Sequence, residues 1–123
     1  MKPKVLLVDD EMDILMAYGR NLRSKFDITT ADSGENAIRI LKADTTFAAI
    51  VTDFNMPVMN GVELLSKARE VNPDTTRILI TGYADLNTSV SAVNQGNVYR
   101  FLTKPIPTAD LIRNIEEACE YNR

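Results

Sequence analysis

Short apolar runs alternate along this chain with longer segments in which apolar residues recur three or four positions apart. The runs at 5–8, 48–51 and 78–80 are nearly unbroken, as expected for parallel strands that are buried on both faces. The segments between them have the spacing of one buried helix face. The pattern therefore predicts five strands, at 5–8, 26–30, 48–51, 78–80 and 98–103.

Helices are predicted between these strands and after the last one. Ser33 suits the N-cap of a second helix that runs to Lys42, because its hydroxyl can accept a hydrogen bond from a backbone N–H of the first turn. A third helix follows Gly61 and stops before Pro73, since the residue before a proline avoids helical dihedrals.

Two further helices complete the pattern. The fourth is predicted at about 85–95 with Gly96 as its C-cap, and the last begins near Thr108 as its N-cap. The predicted inward residues of the five helices are Ile14, Leu15, Tyr18 and Leu22; Ala37, Ile38 and Leu41; Leu64, Leu65 and Ala68; Leu86, Val90 and Val93; and Leu111, Ile112, Ile115 and Cys119.

Five strand–helix repeats in a chain of 123 residues indicate an open α/β sheet with helices on both faces. A closed eightfold barrel would need about twice that length. In open α/β sheets, ligands bind outside the carboxyl ends of the strands, where the winding reverses. The residues that follow each strand are therefore the candidates for chemistry.

Four of the predicted strands lead into a residue capable of chemistry. The first runs into Asp9 and Asp10, the third into Asp53, the fourth into Thr81 and the fifth into Lys104. Three carboxylates brought together raise one another's pKa values unless a cation offsets their charge. Lys104 supplies one positive charge, and oxygen ligands favour a hard divalent ion such as Mg²⁺. A carboxylate nucleophile beside a metal and a lysine is a phosphoryl-handling arrangement.

Composition narrows the function further. The net charge of −3 gives no general attraction to nucleic acid or to an anionic membrane. No apolar stretch approaches the ~18 residues of a membrane span, so a cytoplasmic location is the default expectation. The chain has no histidine and one cysteine, which excludes Ser-His-Asp triads, histidine metal sites and an internal disulfide.

Several stretches together carry a family resemblance. They are VLLVDDE at 5–11, VTDFNMP at 51–57 with Gly61 beyond it, Thr81-Gly82, and FLTKP at 101–105. In this order they resemble the receiver domain of two-component response regulators, over essentially all 123 residues. The resemblance implies a flavodoxin-like, doubly wound (βα)5 fold with a parallel sheet of order 2-1-3-4-5. It also implies one receiver domain over 1–123, either complete in itself or excised from a longer regulator.

The same resemblance implies a role for each acid. Asp53 would accept the phosphoryl group, and Asp10, Asp53 and the backbone carbonyl of Asn55 would ligate Mg²⁺, which Mn²⁺ can replace. Asp9 would act through a metal-bound water. Lys104 would pair with a phosphoryl oxygen, and its bond to Pro105 is expected to be cis.

Further residues are implied in switching. Thr81 would move to hydrogen-bond the phosphoryl group, and Phe101 would swing inward with it. Because Phe101 lacks a hydroxyl, Tyr99, expected on the same strand face, is a candidate for the polar contact. Asn55 and Tyr83 resemble the variable family positions that tune the lifetime of the signal.

The implied phosphodonor is a phosphohistidine on a sensor histidine kinase or a histidine phosphotransfer protein. The output would be a downstream protein or a fused output domain, reached through the face of the fourth helix, fifth strand and last helix, in a monomer or in a dimer through that face. The chain would catalyse only its own phosphorylation and dephosphorylation. The alternative is a receiver-like interaction module that works without phosphorylation. A phosphatase with an aspartate nucleophile would need a second aspartate at position 55 as its general acid, and the asparagine there disfavours this class of enzyme.

Overall fold

A computed structural model describes residues 2–82 and 98–122 of the chain. Five parallel strands form one sheet in the order β2-β1-β3-β4-β5, which confirms the expected fold. The described elements are β1 (Lys4–Val8), α1 (Met12–Leu22), β2 (Asp27–Ala31), α2 (Gly34–Ala43), β3 (Ala49–Asp53), α3 (Gly61–Val71), β4 (Thr76–Thr81), β5 (Arg100–Thr103) and a last helix (Thr108–Asn122).

Some predictions fall outside the described residues. They are the fourth helix at 85–95, its inward residues Leu86, Val90 and Val93, its C-cap Gly96, and the site candidate Tyr83.

The sheet separates two hydrophobic clusters because side chains alternate between its faces along each strand. One cluster joins Val5 and Leu7 to α1 and the last helix. The other joins Leu6 and Val8 to α2 and α3. The predicted inward helix residues that the structure describes lie in these two clusters, with Tyr18, Ile38 and Ile112 only half-buried against them. The exception is Ile14, which is half-buried and belongs to neither cluster.

Helix starts follow the capping chemistry of the chain. Ser33 caps α2 as predicted, its hydroxyl accepting a hydrogen bond from the Asn36 N–H at 3.1 Å. At α3 the cap is Asn60, which exchanges hydrogen bonds with Glu63 in a capping box. Thr108 is the first residue of the last helix, one position later than a cap would be, because the backbone N–H of Leu111 already bonds the Pro107 carbonyl.

Most strand ends differ from the predictions by one or two residues. The third strand extends to Asp53, so the candidate phosphoacceptor is the last residue of β3. The fourth begins at Thr76, two residues early. The fifth begins at Arg100, because its pairing with β4 starts there, opposite Ile78. Val98 and Tyr99 therefore precede the strand.

Candidate functional site

Three aspartates meet at the carboxyl edge of the sheet. Val8 pairs with Thr52 in the β1–β3 register, so Asp9 and Asp53 follow as neighbours on adjacent strands. Carboxylate oxygens of Asp9, Asp10 and Asp53 all lie within 4.8 Å of one another. Asp9 and Asp53 are buried and Asp10 is exposed, so the cluster opens to solvent on one side.

Lys104 brings a positive charge to this cluster from the end of β5. Its ammonium Nζ lies 2.6 Å from Asp53 Oδ1, and the Lys104 side chain stays about one-third exposed. Its position follows from the sheet, since Thr103 pairs with Thr81 and the Lys104 N–H bonds the Thr81 carbonyl at 2.9 Å. Burial alone would lower the pKa of the ammonium, but the hydrogen bond and charge of Asp53, with the charge of Asp9, raise it. Lys104 is therefore held as a cation.

The raised pKa of Asp9 reflects its burial and the crowding of negative charge in the cluster. Burial and the charges of Asp53 and Asp10 raise its pKa to about 6, against the opposing effects of a hydrogen bond from the Glu11 N–H and the charge of Lys104. That hydrogen bond joins the Glu11 N–H to Asp9 Oδ1 at 2.9 Å. One lysine thus leaves the three carboxylates short of positive charge.

Asp53 is positioned by the tight entry into α3. The Gly61 N–H bonds the Phe54 carbonyl at 2.8 Å, which brings the start of α3 against the end of β3. A Cβ on Gly61 would lie 2.5 Å from the Asp53 carbonyl oxygen and 2.7 Å from Leu79 Cδ1. Only glycine fits this approach. In the loop between β3 and α3, Val58 has a φ of 69°.

The remaining predicted site residues have distinct environments. Thr81 is fully buried, and its hydroxyl donates to the Gly82 carbonyl at 3.2 Å. Asn55 is exposed in the loop between β3 and α3. Tyr83 lies outside the described residues. The Lys104–Pro105 peptide is cis, as expected.

The prediction that Tyr99 and Phe101 share a strand face is wrong. Phe101 packs against the cluster of α2 and α3, whereas Tyr99 packs against the cluster of α1 and the last helix. Tyr99 lies just before β5, and although its N–H bonds the Arg77 carbonyl of β4 at 2.8 Å, its side chain does not follow the alternation of the strand. Its ring lies instead 4.8 Å from the ring of Tyr121.

Tyr18 was predicted only as a buried helix residue, yet it borders the site. Burial raises the pKa of its phenol, which Lys104 lowers and the charges of Asp9 and Asp53 raise further. Tyr18 and Lys104 also line one open, largely apolar depression with Ile14, Ala17, Pro105 and Ile106. The helical spacing that placed Tyr18 inward carried no signal for this neighbourhood.

The fold is a doubly wound α/β sheet, and the acidic cluster and Lys104 lie where the winding of the sheet reverses. These two features together indicate the class of domain. The family model for the response regulator receiver domain matches residues 5–116. The chain therefore belongs to the receiver domain family of two-component response regulators.

Relatives agree in sequence and in structure. The hydrogenase transcriptional regulatory protein HoxA of Cupriavidus necator is 35% identical over 116 residues, which are 94% of this chain and 24% of HoxA. The structure is similar to that of adenylate cyclase from Rhodopirellula baltica, with a TM-score of 0.95 and 37% identity over 99% of this chain and 90% of that chain. It is also similar to a CheY-like receiver domain protein from Methanospirillum hungatei, with a TM-score of 0.91 and 28% identity over 99% of this chain and 97% of that chain. The chain spans about a quarter of the length of HoxA and the other first curated relatives it matches. Within the described residues, no helix is long and apolar enough to cross a membrane.

Proposed function

We propose that this chain accepts a phosphoryl group on Asp53 from a phosphohistidine of a sensor histidine kinase or a histidine phosphotransfer protein. The observation that supports this most directly is the Lys104–Asp53 ion pair of 2.6 Å inside a cluster that holds two more carboxylates. A structural ion pair needs one acid, whereas phosphoryl transfer needs a nucleophile, a cation beside it and further ligands for a metal.

The donor set fits Mg²⁺, with Mn²⁺ as a substitute. Hard cations of this kind bind through one or two carboxylates together with other oxygen ligands. We assign Asp10, Asp53 and the backbone carbonyl of Asn55 as ligands and Asp9 as a ligand through water. When bound, the cation would neutralise charge on the transferring group.

The protein's own groups perform the transfer. A carboxylate oxygen of Asp53 attacks phosphorus while the bond from phosphorus to the imidazole nitrogen breaks, and that nitrogen keeps the electron pair and takes a proton. The Lys104 ammonium then exchanges its carboxylate partner for a phosphoryl oxygen. Hydrolysis reverses the state: water attacks phosphorus, the acyl phosphate bond breaks, and Asp53 returns as a carboxylate beside inorganic phosphate.

Thr81 and Phe101 couple the phosphoryl group to the rest of the fold. Thr81 is fully buried, and its hydroxyl donates a hydrogen bond to the Gly82 carbonyl. The hydroxyl can therefore turn to a phosphoryl oxygen by exchanging one acceptor for another. Phe101 is half-buried and moves inward as Thr81 moves. Because Tyr99 packs on the opposite face, it does not replace the missing hydroxyl of Phe101. Asn55 and Tyr83 tune the lifetime of the signal.

We infer the partners from the family to which the chain belongs. The output is a downstream protein or an output domain fused to this receiver. It is reached by a monomer or by a dimer through the face of β5, the last helix and the predicted fourth helix, which lies outside the described residues. The action is proposed to take place in the cytoplasm and to involve no direct contact with nucleic acid or membrane.

Mass spectrometry tests the acceptor. Incubation of the chain with Mg²⁺ and acetyl phosphate should add the mass of one phosphoryl group, and Asp53→Asn should abolish the gain. Asp13→Asn, at an exposed acid of α1, is the matched control and should label as the wild type does. Lys104→Ala should slow labelling or prevent the conformational response to it.

An unlabelled wild-type chain would contradict the proposal and favour an interaction module that works without phosphorylation. Persistent labelling of Asp53→Asn would assign the acceptor to another residue. Circular dichroism of each variant separates loss of the acceptor from loss of the fold.

A further inference from the structure

One flank of α1 presents two methionines followed by two arginines. Met12, Met16, Arg20 and Arg23 recur four, four and three positions apart, so they form one stripe along the helix and its C-cap. All four are exposed, Met12 at 53% and Met16 at 63%. The two methionines are among the four large hydrophobic side chains that are exposed in the described part of the chain. We call Met12, Met16, Arg20 and Arg23 the Met–Arg stripe.

The stripe borders a cleft against the edge of the sheet. A cavity of about 230 Å³ is lined by the four stripe residues together with Leu15 and Thr30. Thr30 belongs to β2, the edge strand, which no strand of the described chain covers on its outer side. The cavity is of a size to take one or two apolar side chains of a partner.

Charge indicates the kind of partner. The chain as a whole carries −3, but this flank ends in two guanidinium groups. Among the described residues, neither Arg20 nor Arg23 has an acidic partner within ion-pair distance. The Arg23 guanidinium lies over Gly19, about 3.6 Å from where a Cβ of that residue would be. The basic end of the stripe is therefore available to acidic side chains of another molecule.

The stripe is separate from the depression beside Lys104. That depression involves Ile14 and Ala17, on the opposite flank of α1. The same flank carries Asn21, whose side-chain amide lies 3.5 Å from the hydroxyl of Thr108 in the last helix. The two flanks thus face different neighbours, so a molecule bound to the Met–Arg stripe would leave the Lys104 side of α1 open.

We infer that the Met–Arg stripe docks an amphipathic helix of a partner protein, with an apolar side chain in the cleft and acidic residues beside Arg20 and Arg23. From Met12 to Arg23 the stripe is about 16 Å long at 1.5 Å per residue, which matches three turns of a second helix. Methionine side chains adapt to the shape of an apolar helix face, and this mode of recognition uses anchors at i, i+4 and i+7.

Two matched peptides test this with the unphosphorylated chain, so the outcome does not depend on the chemistry of Asp53. Both peptides are helical with the same leucine face, and they differ only in carrying glutamate or lysine along its border. The measurement is the methyl NMR signal of each methionine. Met12 and Met16 should shift with the glutamate peptide, whereas the buried Met56 and Met59 should not and so report an intact fold.

Variants then separate contact from charge. Met16→Ala should weaken binding of the glutamate peptide about tenfold or more, as expected for an interface anchor. The double variant Arg20→Glu with Arg23→Glu should lose the glutamate peptide and gain the lysine peptide. Lys67→Glu reverses the charge of one exposed lysine on α3, away from the stripe, and should leave peptide binding unchanged.

Four results would overturn the inference. They are equal binding of the two peptides, binding of neither, methyl shifts confined to other methionines, and binding that survives the double arginine reversal. Self-association of the chain through Met12 and Met16 in sedimentation would assign the stripe to a second copy instead. Binding to anionic phosphatidylglycerol vesicles in place of the glutamate peptide would assign it to a membrane surface.

Discussion

Replacement of glycine by alanine should have opposite effects at two helical positions of this chain. Gly61 starts α3 against the end of β3, and Gly19 lies inside α1. At Gly61 the new Cβ would lie 2.5 Å from the Asp53 carbonyl oxygen and 2.9 Å from Phe54 Cα, both backbone atoms. At Gly19 the nearest atoms belong to the Arg23 side chain, at 3.6 Å. The first site must therefore shift its backbone, while the second needs no adjustment.

The magnitudes follow from these contacts. Forcing a methyl group into a packed site costs about 1–3 kcal/mol, and at Gly61 only the Leu79 side chain among the three nearest neighbours can move cheaply. Gly61→Ala should lower the free energy of unfolding by that amount. Gly19→Ala should raise it by about 0.5–1 kcal/mol, because alanine loses less backbone entropy than glycine on joining a helix.

Urea unfolding at neutral pH measures both effects. The midpoints should move in opposite directions with an unchanged dependence on denaturant, which shows that the same surface unfolds. Because the strained contact involves the backbone of Asp53, Gly61→Ala should also slow labelling by acetyl phosphate, whereas Gly19→Ala should not. Changes of the same sign, or a Gly61→Ala midpoint equal to that of the wild type, would refute the close approach of α3 to β3.

Three further predictions concern stability. Val58→Gly should raise the free energy of unfolding in urea by about 1 kcal/mol, because a β-branched residue at a φ of 69° is strained and glycine is not; a lower midpoint would contradict this. Asn60→Ala should lower it by about 1 kcal/mol through loss of the α3 capping box, and an unchanged midpoint would show that the cap contributes nothing. In metal-free protein, Asp9 has a pKa of about 6 when folded and 3.8 as its ordinary value, so the folded state binds more protons between these values. Stability should therefore decrease as pH rises from about 4 to 6, by up to about 3 kcal/mol, and Asp9→Asn should flatten this part of the pH profile in urea titrations.

The sequence predicted the sheet well because its buried strands are nearly continuous apolar runs. Asp9, Asp10, Asp53 and Lys104 could be identified as one group before any coordinates, since parallel strands bring their carboxyl ends to one edge. The strand order itself came from the family resemblance. Periodicity alone does not distinguish one order of parallel strands from another.

The failures have a common physical origin in short-range geometry. Tyr99 was assigned a face by alternation, but it lies just before β5, and although its N–H bonds the Arg77 carbonyl of β4, its side chain does not follow the alternation of the strand. Asn60 was overlooked as a cap because Gly61 beside it looked like a boundary. Tyr18 was placed in the core by its helical spacing, which says nothing about the charges that face it across the sheet edge.

The charges of the site explain why a proton and a divalent cation are alternatives there. Asp9, Asp10 and Asp53 carry three negative charges when ionised, and Lys104 offsets one of them. Without a metal, the deficit appears as the raised pKa of Asp9, so protonation of the most buried carboxyl relieves part of the repulsion. A divalent cation removes the same deficit without a proton and leaves Asp53 ionised, the form required of a nucleophile. The features that make the metal-free site costly are therefore the ones that prepare it to hold a cation beside an ionised acceptor.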